Sequence, residues 1–396
     1  MTVEAMPLTV RLKAREEDRL LAGHAWVFSN EIEKVEGEAE AGALAAAVTA
    51  GGAPLGVGFY HPNSLIAWRL LSRRVEPVDA AFFKERLGRA LAVRERLYPG
   101  EKSYRLCFGE SDGLPGLVVD RYADVLVCQV LSAGIERRLD LVAQALTELL
   151  QPAGIFLKND HPARGLEGLP IECRVLQGEV PPRVTIEEAG LRFVTPVTEG
   201  QKTGFYFDQR DNRARLAPYF QGRQVLDLYC YTGAFALNAA RHGAKRVLGL
   251  DSSAPAVALA RENAALNGLA ADFDEGDAEE VLHAFSEKSQ PIQPDFILLD
   301  PPSFAPSKRH VPKALRAYTR LNQLAMRTLP RGGLLATSTC AHHVDREAFV
   351  KMLREAAGRV GRPFKLLELG GQAKDHPMLL SMPETEYLHF ALLEAA

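Results

Sequence analysis

From residue 191 onward, short apolar runs alternate with segments of helical pattern. The apolar runs are QVLDLYC, RVLGLDSS, PDFILLDPP and GGLLATSTC, and the helical segments include GAFALNAARHG and PAVALARENAALNG. This alternation predicts a doubly wound α/β domain built on a largely parallel sheet. Ligands of such sheets bind beyond the carboxyl ends of the strands, so the residues that end the runs are the first candidates for a site.

Four chemically active residues end these predicted strands. They are Asp227, Asp251, Asp300 and Cys340. Because parallel strands present their carboxyl ends at one edge of a sheet, we expect all four to line the same edge.

The rest of the chain predicts two further domains, as its length of 396 residues suggests. Residues 1–75 contain short runs punctuated by Gly and Pro, which indicates a small β-rich domain. Residues 76–190 mix helical and strand patterns and predict an α+β domain, which leaves 191–396 as the α/β domain.

The composition indicates a protein of the reducing cytoplasm. No apolar stretch has the length of a transmembrane helix or of a signal-peptide core. The five cysteines are odd in number and include no Cys-x-x-Cys pair, which argues against a disulfide framework or a zinc site. The net charge of −3 requires any nucleic-acid binding to come from local basic faces or base contacts.

The loop after the first predicted strand, DLYCYTGAFAL, favours a ligand without phosphates. Gly233 is its single glycine, and Tyr229 and Tyr231 occupy positions where glycines would let a pyrophosphate approach the backbone. An acid at the end of the second strand, Asp251, typically binds ribose hydroxyls, and Asp277, expected at the end of a third strand, can meet an adenine amine. This pattern favours S-adenosylmethionine over NAD; helix capping by each aspartate is the alternative. The predicted cofactor contacts are Phe207, Asp208, Arg210, Asp227, Tyr229, Gly233, Asp251, Ser252, Asp277 and Asp300.

The sequence DPPSF after the fourth strand predicts a stiff loop that holds a flat base. Pro301 and Pro302 fix their own φ angles, Phe304 can lie against the base, and Asp300 can meet its polar edge. The motif alone does not identify the methylated atom, and a simple turn is the alternative.

Cys340 adds a chemical possibility, since methylation at carbon 5 of cytosine requires a thiolate that attacks carbon 6. A lone cysteine is more often a small buried apolar residue, so its place opposite Asp300 carries the argument.

Two basic segments flank these motifs. EGQKTGFYFDQRDNR mixes Lys, Arg, Gln and aromatic residues that can close over a cofactor and touch RNA phosphate. SKRHVPKALRAYTR follows the DPPSF loop, and its Lys308 and Arg309 are predicted substrate contacts together with Pro301, Pro302 and Phe304. A solvated helix face is the alternative for this second segment.

The ordered motifs FGESDGLPGLVVDRY, QKTGFYFDQRDNR, DLYCYTGAFAL, DPPSFAPSK and TSTCAHH resemble those of the RlmI-type cytosine-C5 methyltransferases of large-subunit ribosomal RNA. LLAGHAWVFSNEI resembles the opening of that family's PUA domain. The resemblance spans nearly the whole chain. It implies a PUA domain, a central α+β domain and a Rossmann-like methyltransferase domain, with S-adenosylmethionine as donor, 5-methylcytosine in 23S rRNA as product and a homodimer as assembly. By position, Cys340 matches the nucleophile and Asp300 the acid that orients the base.

Two other functions remain open on the sequence. A guanine-nitrogen rRNA methyltransferase would use a similar DPP loop without a thiol. An RNA-binding or ribosome-assembly factor would keep the fold without turnover.

Overall fold

The computed structural model describes residues 3, 6–287 and 293–396, and these fall into two compact units. The first unit comprises residues 1–186, 195–207 and 374–385, and the second comprises residues 187–194, 208–373 and 386–396.

The first unit contains two sheets with helices packed against the second sheet. Its strands are β1 Leu8–Leu12, β2 Trp26–Phe28, β3 Ile32–Gly37, β4 Ala43–Val48, β5 Pro54–Tyr60, β6 Ile66–Ser72, β7 Ser103–Phe108, β8 Leu117–Tyr122, β9 Val125–Val130, β10 Gly154–Asn159 and β11 Glu172–Gly178. Its helices are α1 Asp18–Leu21, α2 Ala80–Leu97, α3 Ala133–Glu136 and α4 Leu139–Leu150.

The N-terminal sheet of this unit has the strand order β2-β6-β5-β4-β1-β3 and covers the segment expected to be β-rich. Trp68 is fully buried in its core and donates its indole N–H to the carbonyl of Ala45 at 3.0 Å, so the polar end of the ring is satisfied. The second sheet has the order β11-β10-β9-β8-β7, and α2 packs against α4 and β7. Every residue of the central strand β9 is buried, as its continuous apolar run predicts.

Two short strands, β12 Val184–Glu188 and β13 Leu191–Thr195, pair with each other before the α/β sheet begins. The strands of that sheet are β14 Gln224–Leu228, β15 Arg246–Asp251, β16 Asp272–Glu275, β17 Phe296–Leu299, β18 Leu334–Thr339, β19 Phe364–Gly371 and β20 His389–Ala395. The helices are α5 Arg210–Leu216, α6 Ala234–Arg241, α7 Ala254–Asn267, α8 Ala278–Ser286, α9 Val311–Thr328 and α10 Arg346–Val360.

The seven strands of the second unit have the order β16-β15-β14-β17-β18-β20-β19. Strands β14 to β18 run parallel, and β20 runs antiparallel to both of its neighbours. The order reverses between β14 and β17, which creates a crevice at their carboxyl ends. The predicted doubly wound fold is therefore confirmed. Its switch point lies between β14, which carries Asp227, and β17, which directly precedes Asp300. The domain boundaries at residues 75 and 190 stay a prediction.

Within the described residues, no helix combines the length and the apolar character needed to cross a membrane.

Candidate active site

Asp227 is a buried carboxylate at the switch point of the sheet. It is the penultimate residue of β14, and only 1% of its surface is exposed. One oxygen, Oδ2, accepts a hydrogen bond from the backbone N–H of Ala236 at 2.9 Å, whereas Oδ1 has no hydrogen-bond partner among the described residues. Burial raises the pKa of Asp227 well above its ordinary value, against the effect of the Ala236 N–H. A donor or cation placed beside Oδ1 would remove this cost.

The loop that follows β14 has the backbone of a glycine loop but carries tyrosines. Tyr229, Tyr231 and Gly233 have φ angles of 63°, 48° and 84°, all in the left-handed region. Each tyrosine therefore holds about 1–3 kcal/mol of backbone strain, a cost that clusters at functional sites. Gly233 is required by space as well, because a Cβ atom there would lie 2.9 Å from the ring of Phe273. Gly233 directly precedes α6.

Asp251 organises the loop and keeps acceptor capacity. Its Oδ2 accepts from the backbone N–H of Tyr231 and its Oδ1 from that of Ser253, both at 2.9 Å. An ionised carboxylate offers about four acceptor positions, so each oxygen can accept a further hydroxyl. The side chain is half-buried at the end of β15, and the neighbouring Ser252 is exposed.

Asp277 lies two residues beyond β16 and caps helix α8. Its Oδ1 accepts from the backbone N–H groups of Glu279 and Glu280 at 2.9 and 3.0 Å. Helix capping, the alternative function of the aspartates, thus explains the hydrogen bonds of one carboxylate oxygen of Asp277. The residue is exposed, and its contact with an adenine amine stays a prediction.

Asp300 follows β17 directly and receives two side-chain donors on one oxygen. Gln209 donates from Nε2 to Oδ1 at 3.0 Å, and the hydroxyl of Ser338 donates to the same oxygen. Asn212 in turn donates to Oε1 of Gln209 at 2.7 Å and to the carbonyl of Gly371 at 2.9 Å. This chain of bonds fixes the amide orientation of Gln209 and directs its N–H groups toward the carboxylate. Both donors therefore reach the same carboxylate oxygen and fix the orientation of Asp300.

Tyr318, on α9, holds the DPPSF loop. Its hydroxyl accepts from the backbone N–H of Phe304 at 3.2 Å and donates to the carbonyl of Pro302 at 3.2 Å. The rings of Tyr318 and Phe304 pack with their centroids 4.7 Å apart. Burial raises the pKa of Tyr318, and the nearby Cys340 and Asp300 act in the same direction. The hydroxyl therefore stays neutral and can both donate and accept.

Cys340 follows β18 directly and is partly exposed. Its strand is the neighbour of β17, with Leu299 paired to Thr337, so Asp300 and Cys340 leave the same edge of the sheet. The other cysteine of this unit, Cys230, is buried, and burial raises the pKa of its thiol. Cys340 is thus the accessible thiol of this sheet.

The remaining cysteines belong to the first unit. Cys107 and Cys128 are buried in its core, and burial raises the pKa of Cys128 to about 12. Cys173 is exposed on β11.

The arginines of the QKTGFYFDQRDNR motif form a buried ion cluster. Arg213 bonds both oxygens of Glu188 at 2.6 and 2.8 Å, and Arg210 bonds Oε2 at 3.1 Å. Burial works to raise the pKa of Glu188, but the charges of Arg213 and Arg210 hold it below its ordinary value. This burial leaves neither guanidinium on the surface, where an RNA phosphate would lie. A cofactor contact of Arg210 stays a prediction.

The two residues that precede Gln209 are also buried. Asp208 accepts from the hydroxyl of Tyr387 at 2.8 Å. Phe207 belongs to the first unit, where its ring packs against Tyr122 and Phe205. Their contacts with a cofactor stay predictions.

The predicted substrate contacts range from buried to exposed. Pro301 is buried, Pro302 is exposed, and Phe304 is half-buried against Tyr318. Lys308 and Arg309 are exposed in a 3₁₀ turn that leads into α9.

Sequence reasoning missed how the site is held together. Gln209 and Ser338 were seen only as members of longer motifs, and Tyr318 was not singled out. One signal was present: a serine near the end of an otherwise apolar strand needs a hydrogen-bond partner when buried. The partner itself is distant in the chain and could not be read from the pattern.

The residues present fit S-adenosylmethionine. Asp227 Oδ1 is a buried carboxylate oxygen that a donor or cationic ligand would satisfy, Asp251 keeps acceptors for ribose hydroxyls, and the tyrosine-bearing loop does not present the open glycine backbone that phosphates need. The half-buried phenol of Tyr229 stays neutral, since burial raises its pKa to about 12.

Comparison with known proteins supports this reading. Residues 128–358 match the family model of S-adenosylmethionine-dependent methyltransferases, and residues 10–73 match a PUA-like domain. A methyltransferase from Streptococcus mutans has the same fold, with a TM-score of 0.83 and 20% identity over 98% of this chain and 99% of the other. A second methyltransferase structure, a complex with SAH, has a TM-score of 0.85 at 20% identity, again over 98% and 99% of the chains. The chain is therefore a S-adenosylmethionine-dependent methyltransferase with a PUA-like domain.

Sequence relatives define the family more narrowly. The ribosomal RNA large subunit methyltransferase I of Aeromonas hydrophila is 41% identical over 98% of this chain and all of its own length. The protein of the same name from Shewanella denitrificans is 40% identical over 97% of this chain and 98% of its own length. The chain belongs to the ribosomal RNA large subunit methyltransferase I family.

Proposed function

We propose that this protein methylates carbon 5 of a cytosine in 23S rRNA through a covalent adduct with Cys340. The names of its relatives support ribosomal RNA of the large subunit as the substrate. The observation that carries the cytosine assignment is the partly exposed thiol of Cys340, on the same sheet edge as Asp300.

The chemistry starts with the thiolate of Cys340. It attacks carbon 6, a C–S bond forms, and the electrons of the C5–C6 double bond make carbon 5 nucleophilic. S-adenosylmethionine supplies an electrophilic methyl group. After carbon 5 is methylated, a base removes its proton, the C5–C6 double bond re-forms, and the C–S bond breaks to release the thiolate.

Asp300 orients the base in this proposal. Gln209 and Ser338 hold one carboxylate oxygen of Asp300 in place, and a carboxylate oxygen can accept a hydrogen bond from the exocyclic amine of cytosine. Phe304, buttressed by Tyr318, packs against the flat face of the base, while Pro301 and Pro302 restrict the loop. Lys308 and Arg309 contact the flanking phosphates.

The cofactor is held, in this proposal, at the same carboxyl edge of the sheet as Asp300. Asp227, Tyr229, Gly233, Asp251, Ser252 and Asp277 hold the donor in this proposal, with Asp208 and Arg210 supporting them.

A trapping experiment tests the mechanism. Unmodified 23S rRNA transcribed with 5-fluorocytidine carries fluorine where the proton must leave, so the adduct with Cys340 cannot resolve. We expect a denaturant-resistant protein–RNA band with the unaltered protein and none with Cys340→Ala. Mapping of the methylated position on unfluorinated rRNA identifies the nucleotide. Methylation that persists in Cys340→Ala, at a guanine nitrogen, would refute the covalent route.

We also propose that the protein acts in the cytoplasm as a homodimer, on free 23S rRNA or a precursor of the large subunit. Sedimentation equilibrium tests the dimer, and cell fractionation tests the location.

A further inference from the structure

The segment that follows Asp300 has an unusual charge distribution. The 44 residues between Asp300 and Asp345 contain no aspartate or glutamate, although the chain has 50 acidic residues in 396. They contain seven lysines and arginines: Lys308, Arg309, Lys313, Arg316, Arg320, Arg327 and Arg331. Without these seven charges the formal net charge of −3 would be −10. A chain that is acidic elsewhere thus concentrates positive charge beside its catalytic loop.

The structure places four of these charges in one row along α9. Lys313, Arg316, Arg320 and Arg327 are three, four and seven residues apart, which puts them on one face of a helix. All four are exposed, whereas the opposite face, which includes Tyr318 and Ala325, is buried. We call these four residues the α9 stripe.

Most of the stripe is not neutralised within the protein. Arg320 pairs with Glu279, but in the described ranges no carboxylate forms an ion pair with Lys313, Arg316 or Arg327. Helix α10 offers a contrast, because its exposed Lys351, Arg354 and Arg359 share the helix with Glu347 and Glu355. A solvated helix face ordinarily mixes both signs in this way.

The direction of α9 places the beginning of the α9 stripe at the edge of the sheet that carries the catalytic residues. The helix connects β17 to β18, which are parallel neighbours, so it must run back from the carboxyl edge to the opposite edge of the sheet. Its first turn lies at the edge that carries Asp300 and Cys340. At about 1.5 Å per residue, the stripe extends from Lys313 over about 21 Å.

We propose that the α9 stripe is a track for the RNA backbone that leads away from the target nucleotide. This inference rests on the proposed function for its substrate. Exposed cations in a row contact phosphates without reading sequence, and each contact releases counterions, so binding through the stripe depends on salt.

The test neutralises three charges and compares two matched variants. The stripe variant is Lys313→Gln, Arg316→Gln, Arg327→Gln, and the control is Lys351→Gln, Arg354→Gln, Arg359→Gln on α10. Both sets remove one lysine and two arginines, with the first two residues three positions apart and the last arginine in the final helical turn. Binding of SAH, measured by calorimetry, checks that each variant is folded.

Affinity for unmodified 23S rRNA is measured by filter binding over a range of salt concentrations. For a single strand, each lost phosphate contact lowers the slope of log K against log salt by about 0.7, so three contacts lower it by about 2. The same relation gives about a 50-fold loss of affinity at 0.15 M salt. We expect this change in the stripe variant and an unchanged slope in the control.

Two results would overturn the track. One is a slope that is unchanged in the stripe variant, or lowered equally in both variants. The other is unchanged affinity for naked rRNA with lost activity on subunit particles, which would mean that the stripe faces a ribosomal protein. Methyl transfer by the unaltered protein is assayed separately, so failure of the proposed function is distinguishable from failure of the track.

Discussion

Replacement of Tyr318 by phenylalanine tests whether one hydroxyl holds the catalytic loop. The hydroxyl bridges the N–H of Phe304 and the carbonyl of Pro302, both at 3.2 Å, from a side chain with no exposed surface. Each such bond contributes about 0.5–1.5 kcal/mol net, so Tyr318→Phe should reduce the free energy of unfolding by about 1–3 kcal/mol. For a domain of roughly 150–250 residues each kcal/mol corresponds to about 2–4 °C in Tm.

The same change should slow catalysis. Without the bridge, Phe304 and Pro302 lose their fixed distance to Tyr318, and displacement of a positioning group by about 1 Å can cost about 100-fold in rate. We therefore expect a fall in the single-turnover rate of methyl transfer of about 10- to 100-fold, with little change in SAH affinity.

Tyr219→Phe is the matched control in the same unit. Its hydroxyl donates to Glu368 on the partly exposed surface, where water can replace the bond, so we expect a loss within about 0.5 kcal/mol and an unchanged rate. Urea unfolding followed by circular dichroism gives the two free energies. Equal losses in the two variants, with an unchanged rate in Tyr318→Phe, would refute the assigned role of the buried hydroxyl.

Three further predictions concern the carboxylates and their partners. Ser338→Ala removes a donor to Asp300 Oδ1 and should reduce kcat more than it changes SAH affinity; an unchanged kcat would exclude a positioning role. Asp227→Asn removes a buried carboxylate whose pKa burial raises and whose Oδ1 has no partner in the described structure, so the cofactor-free protein should gain about 1–3 kcal/mol at neutral pH while SAH binding weakens. A folded-state pKa of Asp227 above its unfolded value lowers the stability of the wild-type protein as the pH rises, so the stability gain of Asp227→Asn should vanish in acid. Thermal unfolding with and without SAH measures both the gain in stability and the loss of SAH binding. Glu188 has a lowered pKa, so its contribution is complete above its ordinary value of 4.5 and is lost as the pH falls through the folded value. Glu188→Gln should therefore flatten the acid limb of the stability profile and cost about 3–5 kcal/mol at neutral pH, since two buried arginines lose their ion pairs with Glu188; an unchanged acid limb would contradict this.

The fold of the second unit could be predicted because the sequence pattern that indicates it is local. Apolar runs alternating with helical segments identify strands and helices residue by residue, and the parallel order makes strand ends coincide at one edge. The pattern accordingly predicts Asp251, Asp300 and Cys340 at strand ends, and the structure has them there. Asp277 shows the error of this approach, because strand β16 stops at Glu275 and the aspartate belongs to the next helix as its cap.

The sequence by itself therefore determined which residues reach the catalytic edge, since that depends on spacing along the chain. The tertiary structure decided how they are held: Gln209 and Ser338 meet on Asp300 from positions 129 residues apart, Tyr318 bridges a loop that precedes it, and Arg210 and Arg213 turn inward to Glu188. The reason is physical. Periodicity reports burial, whereas a hydrogen-bond partner depends on which distant backbone segments the folded sheet brings within about 3 Å.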